Sequence, residues 1–351
     1  MAASINYNAR IFGRPARHNR KDRFLTQIRP IALFPGLAVL ALVACVFAMA
    51  SGSADISPGE VWQTVFGNGP DKSRSIILDL RLPRALTAFG IGGLLAVAGV
   101  LMQVLLRNPL AEPYILGSSG GAAVAALLAM LFGLGATMVD LSAFGGAMLA
   151  TLLVFSIAQG TGNWTPTRLL LTGVVLAAGF SAATTLLLAL TPDQNLRGML
   201  FWLVGDLSFS YAPAQSLWLL VIITAAGLLA ARHLNVLARG DLQAAIVGLP
   251  VAGFRLIIFA VTALATAISV TTVGVIGFIG LVIPHLIRIV AGSDHRIVLP
   301  ASALAGGTLL IVADTLARSL LAPRQLPVGA LTAAIGVPLF LVLMSRSRRT
   351  A

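Results

Sequence analysis

Few side chains in this sequence are of a type that performs chemistry, and their spacing narrows the choice further. Gly117-Ser-Ser-Gly120 places Ser119 in a G-x-S-G pattern, as intramembrane serine proteases do. A nucleophilic serine needs a base within hydrogen-bond reach. The four histidines are His18, His233, His285 and His295, and only His285 lies in an apolar run, toward one end of it. The small residues around Ser119 also suit close helix packing, so proteolysis is not expected. Metal chemistry has less support still. No Cys/His cluster exists, and no two histidines stand at helical spacing. The single cysteine, Cys45, permits no internal disulfide and reads as a small, apolar, lipid-facing residue. Nucleotide hydrolysis needs a Gly-Lys-Ser/Thr loop to hold phosphates. The only lysines, Lys21 and Lys72, follow Arg20 and Asp71. ATP must therefore be hydrolysed elsewhere, if it is used at all.

The ionic residues are more informative. Asp314 is the clearest acid inside an apolar run. Carboxylates in such places are candidates for function. Arg318 lies four residues on, within pairing reach on a helix, so a structural ion pair is the preferred reading over proton coupling. Arg81, Arg84 and Arg318 all fall at ends of apolar runs. Arginine there can snorkel to lipid headgroups, or its planar fork can grip a carboxylate on another protein.

The elements that carry these residues are membrane helices. Hydrophobic residues make up 58% of the 351 and charged residues only 10%. A soluble domain carries about 25% charged residues, so lipid must be the solvent. A span needs about 20 apolar residues. Runs of that kind lie near 31–50, 85–106, 114–134, 141–160, 168–190, 213–231, 254–272, 275–291, 298–317 and 328–344. The expected fold is therefore all-α and polytopic, with about ten transmembrane helices. The stretch 192–207 is apolar but short, and reads as a partial helix that does not cross. The polar segment 51–80 reads as an external surface loop with one short helix.

Charge sets the orientation. Seven of the 24 Lys and Arg lie in the first 29 residues, and Arg346, Arg348 and Arg349 close the chain. Basic residues concentrate on the cytoplasmic side. With both termini cytoplasmic, the tails (1–30 and 346–351) and the segments holding Arg107, Arg168, Arg232, Arg239, Arg255, Arg288 and Arg296 carry 17 of these residues. Seven remain outside: Lys72, Arg74, Arg81, Arg84, Arg197, Arg318 and Arg324. An odd number of spans would separate the two basic tails. The net charge of +12 thus points to anionic lipid and not to nucleic acid. Ala48-Met-Ala50 mimics a signal-peptide cleavage site, but the run before it is too long for one, and 31–50 reads as an uncut first span. Residues 31–345 then form one ten-helix transmembrane domain.

Two blocks of motifs carry a family resemblance. One is Arg81-Leu-Pro-Arg84, running on to Arg107-Asn-Pro-Leu-Ala-Glu-Pro113 and Ile115-Leu-Gly-Ser-Ser-Gly-Gly-Ala122. The other is Gly277-Phe-Ile-Gly-Leu-Val-Ile-Pro-His285, followed by Asp294-His-Arg296 and Leu326-Pro-Val-Gly329. Together they closely resemble the FecCD family, the membrane subunits of bacterial ABC importers for ferric siderophores, haem and cobalamin. The resemblance covers roughly residues 31–345. It implies a type II ABC importer architecture in the bacterial inner membrane. Two permease copies, most simply a homodimer, would enclose a pathway. Two cytoplasmic ATPase subunits would bind ATP and Mg, and a periplasmic substrate-binding protein would deliver cargo. No cofactor is expected on this chain.

The resemblance also implies roles for residues. Arg81, Arg84 and Arg318, the last preceded by Ala313-Asp314, would dock the binding protein. Asn108 and Leu110 would form a cytoplasmic gate. Residues 232–253 would be the coupling segment, a pair of short helices seated in the ATPase, with Leu237, Arg239, Gly240, Asp241, Ala244 and Gly248 at its centre. Pro284-His285 reads as a kink with a buried histidine. Gly205-Asp206-Leu207 departs from the pattern, where a small polar residue is expected in place of the aspartate. The 29-residue basic tail is longer than expected. The expected cargo is an intact iron chelate, haem or ferric siderophore, with cobalamin as the alternative. An ion-coupled secondary transporter is the reading of another class, and it would need polar groups at mid-membrane.

Overall fold

The computed structural model describes residues 30–52, 56–67, 70–160, 165–208 and 213–347. The expectation for the basic tails falls on residues 1–29 and 348–351, which lie outside the described residues. Every regular element among the described residues is a helix.

Helix α1 (Pro30–Ala50) is followed by α2 (Pro58–Val65). Helix α2 starts at a capping box: Ser57 Oγ accepts from the Glu60 N–H at 3.2 Å, and Glu60 returns the bond to the Ser57 N–H at 3.3 Å. The chain then differs from the sequence reading. Residues 71–81 are helical and lead without a break into α4. Helix α3 (Asp71–Arg74), a π-helical turn (Ser75–Arg81) and α4 (Leu82–Leu105) run as one helix of 35 residues. The π turn has a local cause. Pro83 has no N–H and its ring crowds the carbonyl of Asp79, so the backbone widens just before it.

Helix α4 is the axis of the molecule. It is buried along almost its whole length, and at 1.5 Å per residue it is about 36 Å long, enough to cross a bilayer. A short 3₁₀ turn (Pro113–Leu116) leads to α5 (Ser118–Leu131), which pairs with α6 (Ala136–Gln159). Then come α7 (Pro166–Leu190), the partial helix α8 (Asp193–Val204), and α9 (Pro213–Leu229), which bends by 65° into α10 (Ala231–Leu237). Helix α11 (Asp241–Ile246) is followed by α12 (Val251–Val273), α13 (Ile279–Ala291), α14 (His295–Ser319) and α15 (Val328–Ser347). Helices α9, α12, α13 and α14 pack around α4.

Among the described residues, six helices are long and apolar enough to cross a membrane, and α9 with α10 makes a seventh if the bent pair is one span. Three shorter apolar helices, α5, α13 and Val328–Leu343, fall on the remaining expected spans. Each of the ten apolar runs in the sequence thus holds a helix.

The interior shows why such a sequence suits lipid. Hydroxyls within spans donate to carbonyls one turn back: Thr262 to Ile258 at 2.8 Å, Thr266 to Thr262 at 2.9 Å, and Ser269 to Ala265 at 2.7 Å. These three hydroxyls are thereby satisfied within their own helix and do not face hydrocarbon unpaired. Helix α13 crosses α4 at bare backbone. A Cβ built on Gly99 would lie 1.9 Å from the Gly280 carbonyl oxygen, so only glycine permits this approach.

The run 275–291 was expected to be one helix, but α13 begins only at Ile279. Gly274 and Phe278 both have positive φ, 73° and 70°, and break the turn. The resulting non-helical stretch is half-buried, and its amides need partners. Glu112 accepts from the Phe278 N–H at 3.0 Å, and the Tyr114 hydroxyl reaches the Ile276 N–H at 3.4 Å. Removing the carboxylate leaves a buried amide unpaired, which costs about 1–3 kcal/mol. Glu112→Ala is therefore expected to lower the melting temperature in detergent, while Glu112→Gln, which keeps an acceptor, lowers it less. Equal loss in both variants would contradict this role.

Candidate functional site

Two ionic clusters sit at the two ends of α4. The first cluster gathers Arg81, Arg84, Asp314 and Arg318 from three elements, at the end of α4 that the charge pattern of the sequence expects outside. Arg84 grips Asp314 in a bidentate pair: Nε lies 3.1 and 2.9 Å from the two carboxylate oxygens, and Nη2 lies 2.7 Å from Oδ1. Both side chains are nearly buried. Arg81 donates from Nη1 to the Met49 and Ala50 carbonyls at 2.7 and 3.0 Å. Arg318 donates to the Ala48 carbonyl. These carbonyls end α1, where the last turn has no helical partners and attracts cations.

The pairing of Asp314 differs from the expectation. Arg318 is its helical neighbour, but Nε stays 3.8 Å away. The main partner is Arg84, 230 residues distant. The cause is the end of α1, which draws the Arg318 guanidinium toward Ala48. Removing Arg84 would leave a buried carboxylate without its principal partner, a change that costs about 3–5 kcal/mol in comparable buried pairs.

The inner cluster lies at the other end of α4. Arg107 follows α4 with φ 49°, and Asn108-Pro109-Leu110 forms a tight turn after it. Asn108 Oδ1 accepts from the Leu110 N–H at 2.9 Å, an Asx turn that fixes the loop. Leu110 is exposed. Asn108 borders a cavity of about 540 Å³ that Arg239, Arg288, Asp294 and His295 also line. Here Gln103 bonds Arg288, and Asn235 on α10 bonds both Asp294, at 2.8 Å, and His295. The bond from Asn235 and a second from the Arg296 N–H hold the Asp294 carboxyl below the usual carboxylate range.

The segment 232–253 folds as α10 and α11 joined at Gly240, whose φ of 125° suits glycine. Leu237 and Ala244 are fully buried and anchor the segment to the core. Gly248 ends it, again at positive φ. Arg239 is exposed beside the cavity. The outward face belongs to residues that the motif pattern did not single out. Leu242, Ile246 and Val247 are 76%, 76% and 72% exposed. Their apolar spacing on a short helix outside the apolar runs is the signal that marks them. Asp241 contacts Arg255 at 2.6 Å and Arg107 at 3.6 Å.

Other candidates resolve differently. Ser119 lies in the first turn of α5, near Gly121, which packs directly on the Gly146 carbonyl of α6. Pro284 lies inside α13, but His285 is half-buried where a buried histidine was expected, and its ring turns toward Phe340 at 6.2 Å. The packing reading accounts for both. Cys45 is half-buried against core residues and is not simply lipid-facing. Asp206 accepts from the Ser208 N–H and hydroxyl at 2.8 and 2.5 Å, so the unexpected aspartate shapes a turn. That turn lines a cavity of about 1480 Å³ with Asp140, Arg197 and Trp202. Asp140 lies in α6 and is a second acid within a span that the sequence reading passed over.

A bundle of apolar helices, with an ionic cluster at each end of its central helix, is the architecture of a polytopic membrane protein. The FecCD transport family model matches residues 40–346, and the chain belongs to that family. The vitamin B12 import system permease protein BtuC of Escherichia coli O9:H4 (strain HS) is 37% identical over 319 residues, covering 89% of this chain and 94% of the relative. BtuC of Citrobacter koseri is 36% identical over 329 residues, covering 92% and 97%. A solved metal-chelate type ABC transporter in an inward-facing conformation superposes with a TM-score of 0.78 at 30% identity, covering 90% of this chain and 99% of that one. The protein is an ABC importer permease of this type, multi-pass in the bacterial inner membrane.

Proposed function

We propose that this chain is the translocation subunit of an importer that moves an intact metal chelate from periplasm to cytoplasm. The observation that carries the reading is the match to import permeases over nearly their whole length. The chain itself carries out no hydrolysis. Two ATPase subunits on the inner face supply ATP turnover with Mg, and a substrate-binding protein docks outside. A second permease copy completes the pathway, and ten spans place both termini in the cytoplasm. Helix α7 supports the partner copy. Its apolar face is almost entirely open, with Leu171, Val175 and Leu186 more than half exposed.

The reading gives each face a task. The outward apolar residues Leu242, Ile246 and Val247 suit an ATPase groove, since buried apolar anchors dominate interface energetics. Leu242→Asp with Ile246→Asp is expected to release the ATPase from the purified complex without lowering permease yield. Retention of a stoichiometric ATPase would contradict the assignment. Arg81, Arg84 and Arg318 suit a carboxylate-bearing binding protein, and Asn108 with Leu110 borders the inner exit. An ion-driven transporter is less well supported, because Asp314, the acid it would use, is already held by Arg84.

Cargo is the open choice. Family membership alone favours iron chelates. Relatives at 37% identity import vitamin B12, so cobalamin becomes the first candidate, with haem and ferric siderophores next. Uptake by a deletion strain, offered each in turn, tests this. Loss of cobalamin uptake, restored by the gene, is the expected result. Normal uptake of cobalamin with loss of haem or siderophore uptake would reverse the order.

A further inference from the structure

We propose that Asp241 and Arg107 form a breakable contact through which the coupling segment sets the inner gate turn. The inference rests on the importer reading above. Its basis is the unequal geometry around one carboxylate. Asp241 opens α11 and has a different partner on each oxygen. Oδ1 lies 2.6 Å from Arg255 Nη2, a hydrogen bond whose guanidinium is only 9% exposed. Oδ2 lies 3.6 Å from Arg107 Nη2, beyond hydrogen-bond length, and both of those side chains are 39% exposed.

The first arm pins α11 to the inner end of α12. The second joins α11 to the turn that follows α4. Arg107 is bonded in sequence to Asn108, and its φ of 49° places it in the sparsely populated left-handed region. The contact also borders a cavity of about 790 Å³ that reaches Thr165 and Pro166 at the start of α7. Space is therefore present on one side of the loose arm. A displacement of α11 by the ATPase would keep the Arg255 arm and change the Arg107 arm. Exposed ion pairs exchange readily because each contributes little, whereas buried ones resist rupture. Asp241 thus acts as a positioning residue, and Arg107 carries its state to the Asn108–Leu110 turn.

The test uses full-length permease reconstituted in vesicles with its ATPase and binding protein. The readout is cargo moved per ATP hydrolysed, with labelled cobalamin, haem and a ferric siderophore as separate probes. Arg107→Gln is expected to assemble normally and to lower the ratio about tenfold, within the usual range of coupling between sites. Arg107→Lys keeps the charge and should keep most of the ratio. If the two residues act through one contact, Arg107→Gln with Asp241→Asn falls no further than Asp241→Asn alone. Arg107→Met, which retains the apolar stem, repeats the test should the Gln variant not assemble. A wild-type ratio in the neutral variants, or additive losses in the double variant, would overturn the inference alone. Absence of ATP-dependent uptake of all three probes by the wild-type vesicles would instead overturn the importer reading, and this inference with it.

Discussion

Gly99→Leu is expected to abolish accumulation of folded protein in the membrane. The Cβ at this position would stand 1.9 Å from the Gly280 carbonyl oxygen and 2.5 Å from its carbon. Both obstacles are backbone, so no rotamer change relieves them. Gly280 is equally confined, since a Cβ built on it would lie 2.7 Å from Pro113 and 2.8 Å from the Leu95 carbonyl of α4. Overpacking a core costs about 1–3 kcal/mol when side chains can adjust. Here two helices must separate at the most buried part of the fold, so about 4 kcal/mol or more is expected, at the top of the range for single substitutions. Against a total stability of about 5–15 kcal/mol, that removes most of the margin. Gly145→Leu is the control, since nothing lies within 4 Å of its Cβ position. Yield and melting temperature in detergent report the outcome. A Gly99→Leu protein matching Gly145→Leu in both would mean that α4 and α13 do not meet as described.

Reversing the charge of Arg81 and Arg84 together is expected to abolish stimulation of ATP hydrolysis by the binding protein. Two effects are mixed in that result. Arg84→Glu sets a new carboxylate against buried Asp314, and Arg81→Glu sets one against the carbonyls that end α1. Either can damage the fold without any role in docking. The swap Arg84→Asp with Asp314→Arg separates them, because it keeps the buried pair but moves the cation to α14. If Arg84 docks the binding protein, the swap restores yield and melting temperature but not stimulation. If the cluster is structural only, the swap restores all three, and the docking assignment is withdrawn.

The contrast between these clusters and the sequence is physical. Apolar runs of span length are local, so each is legible, and each holds a helix. The breaks at Gly240 and Gly248 are equally local, because both glycines adopt positive φ. Ion pairs are not local. Asp314 reads as the partner of Arg318 because four residues is a helical step, yet the competing pull of the α1 carbonyls leaves it to Arg84. Arg107, Asp241 and Arg255 likewise meet only through the packing of α4, α11 and α12. The run 275–291 looked like one helix because composition does not reveal that Phe278 sits at φ 70°. The external helix through residues 71–81 was hidden by its polarity and by Pro83, which a π turn accommodates.

The central claim is that transport through this chain is driven by ATP on another subunit. The most direct measurement is cargo uptake by intact cells expressing the gene, with proton gradient and ATP depleted separately. Uptake that survives collapse of the proton gradient but stops when ATP is depleted is the predicted result. Uptake that stops with the gradient while ATP remains would contradict it, and would return Asp314 and Asp140 to consideration as ion-coupling acids.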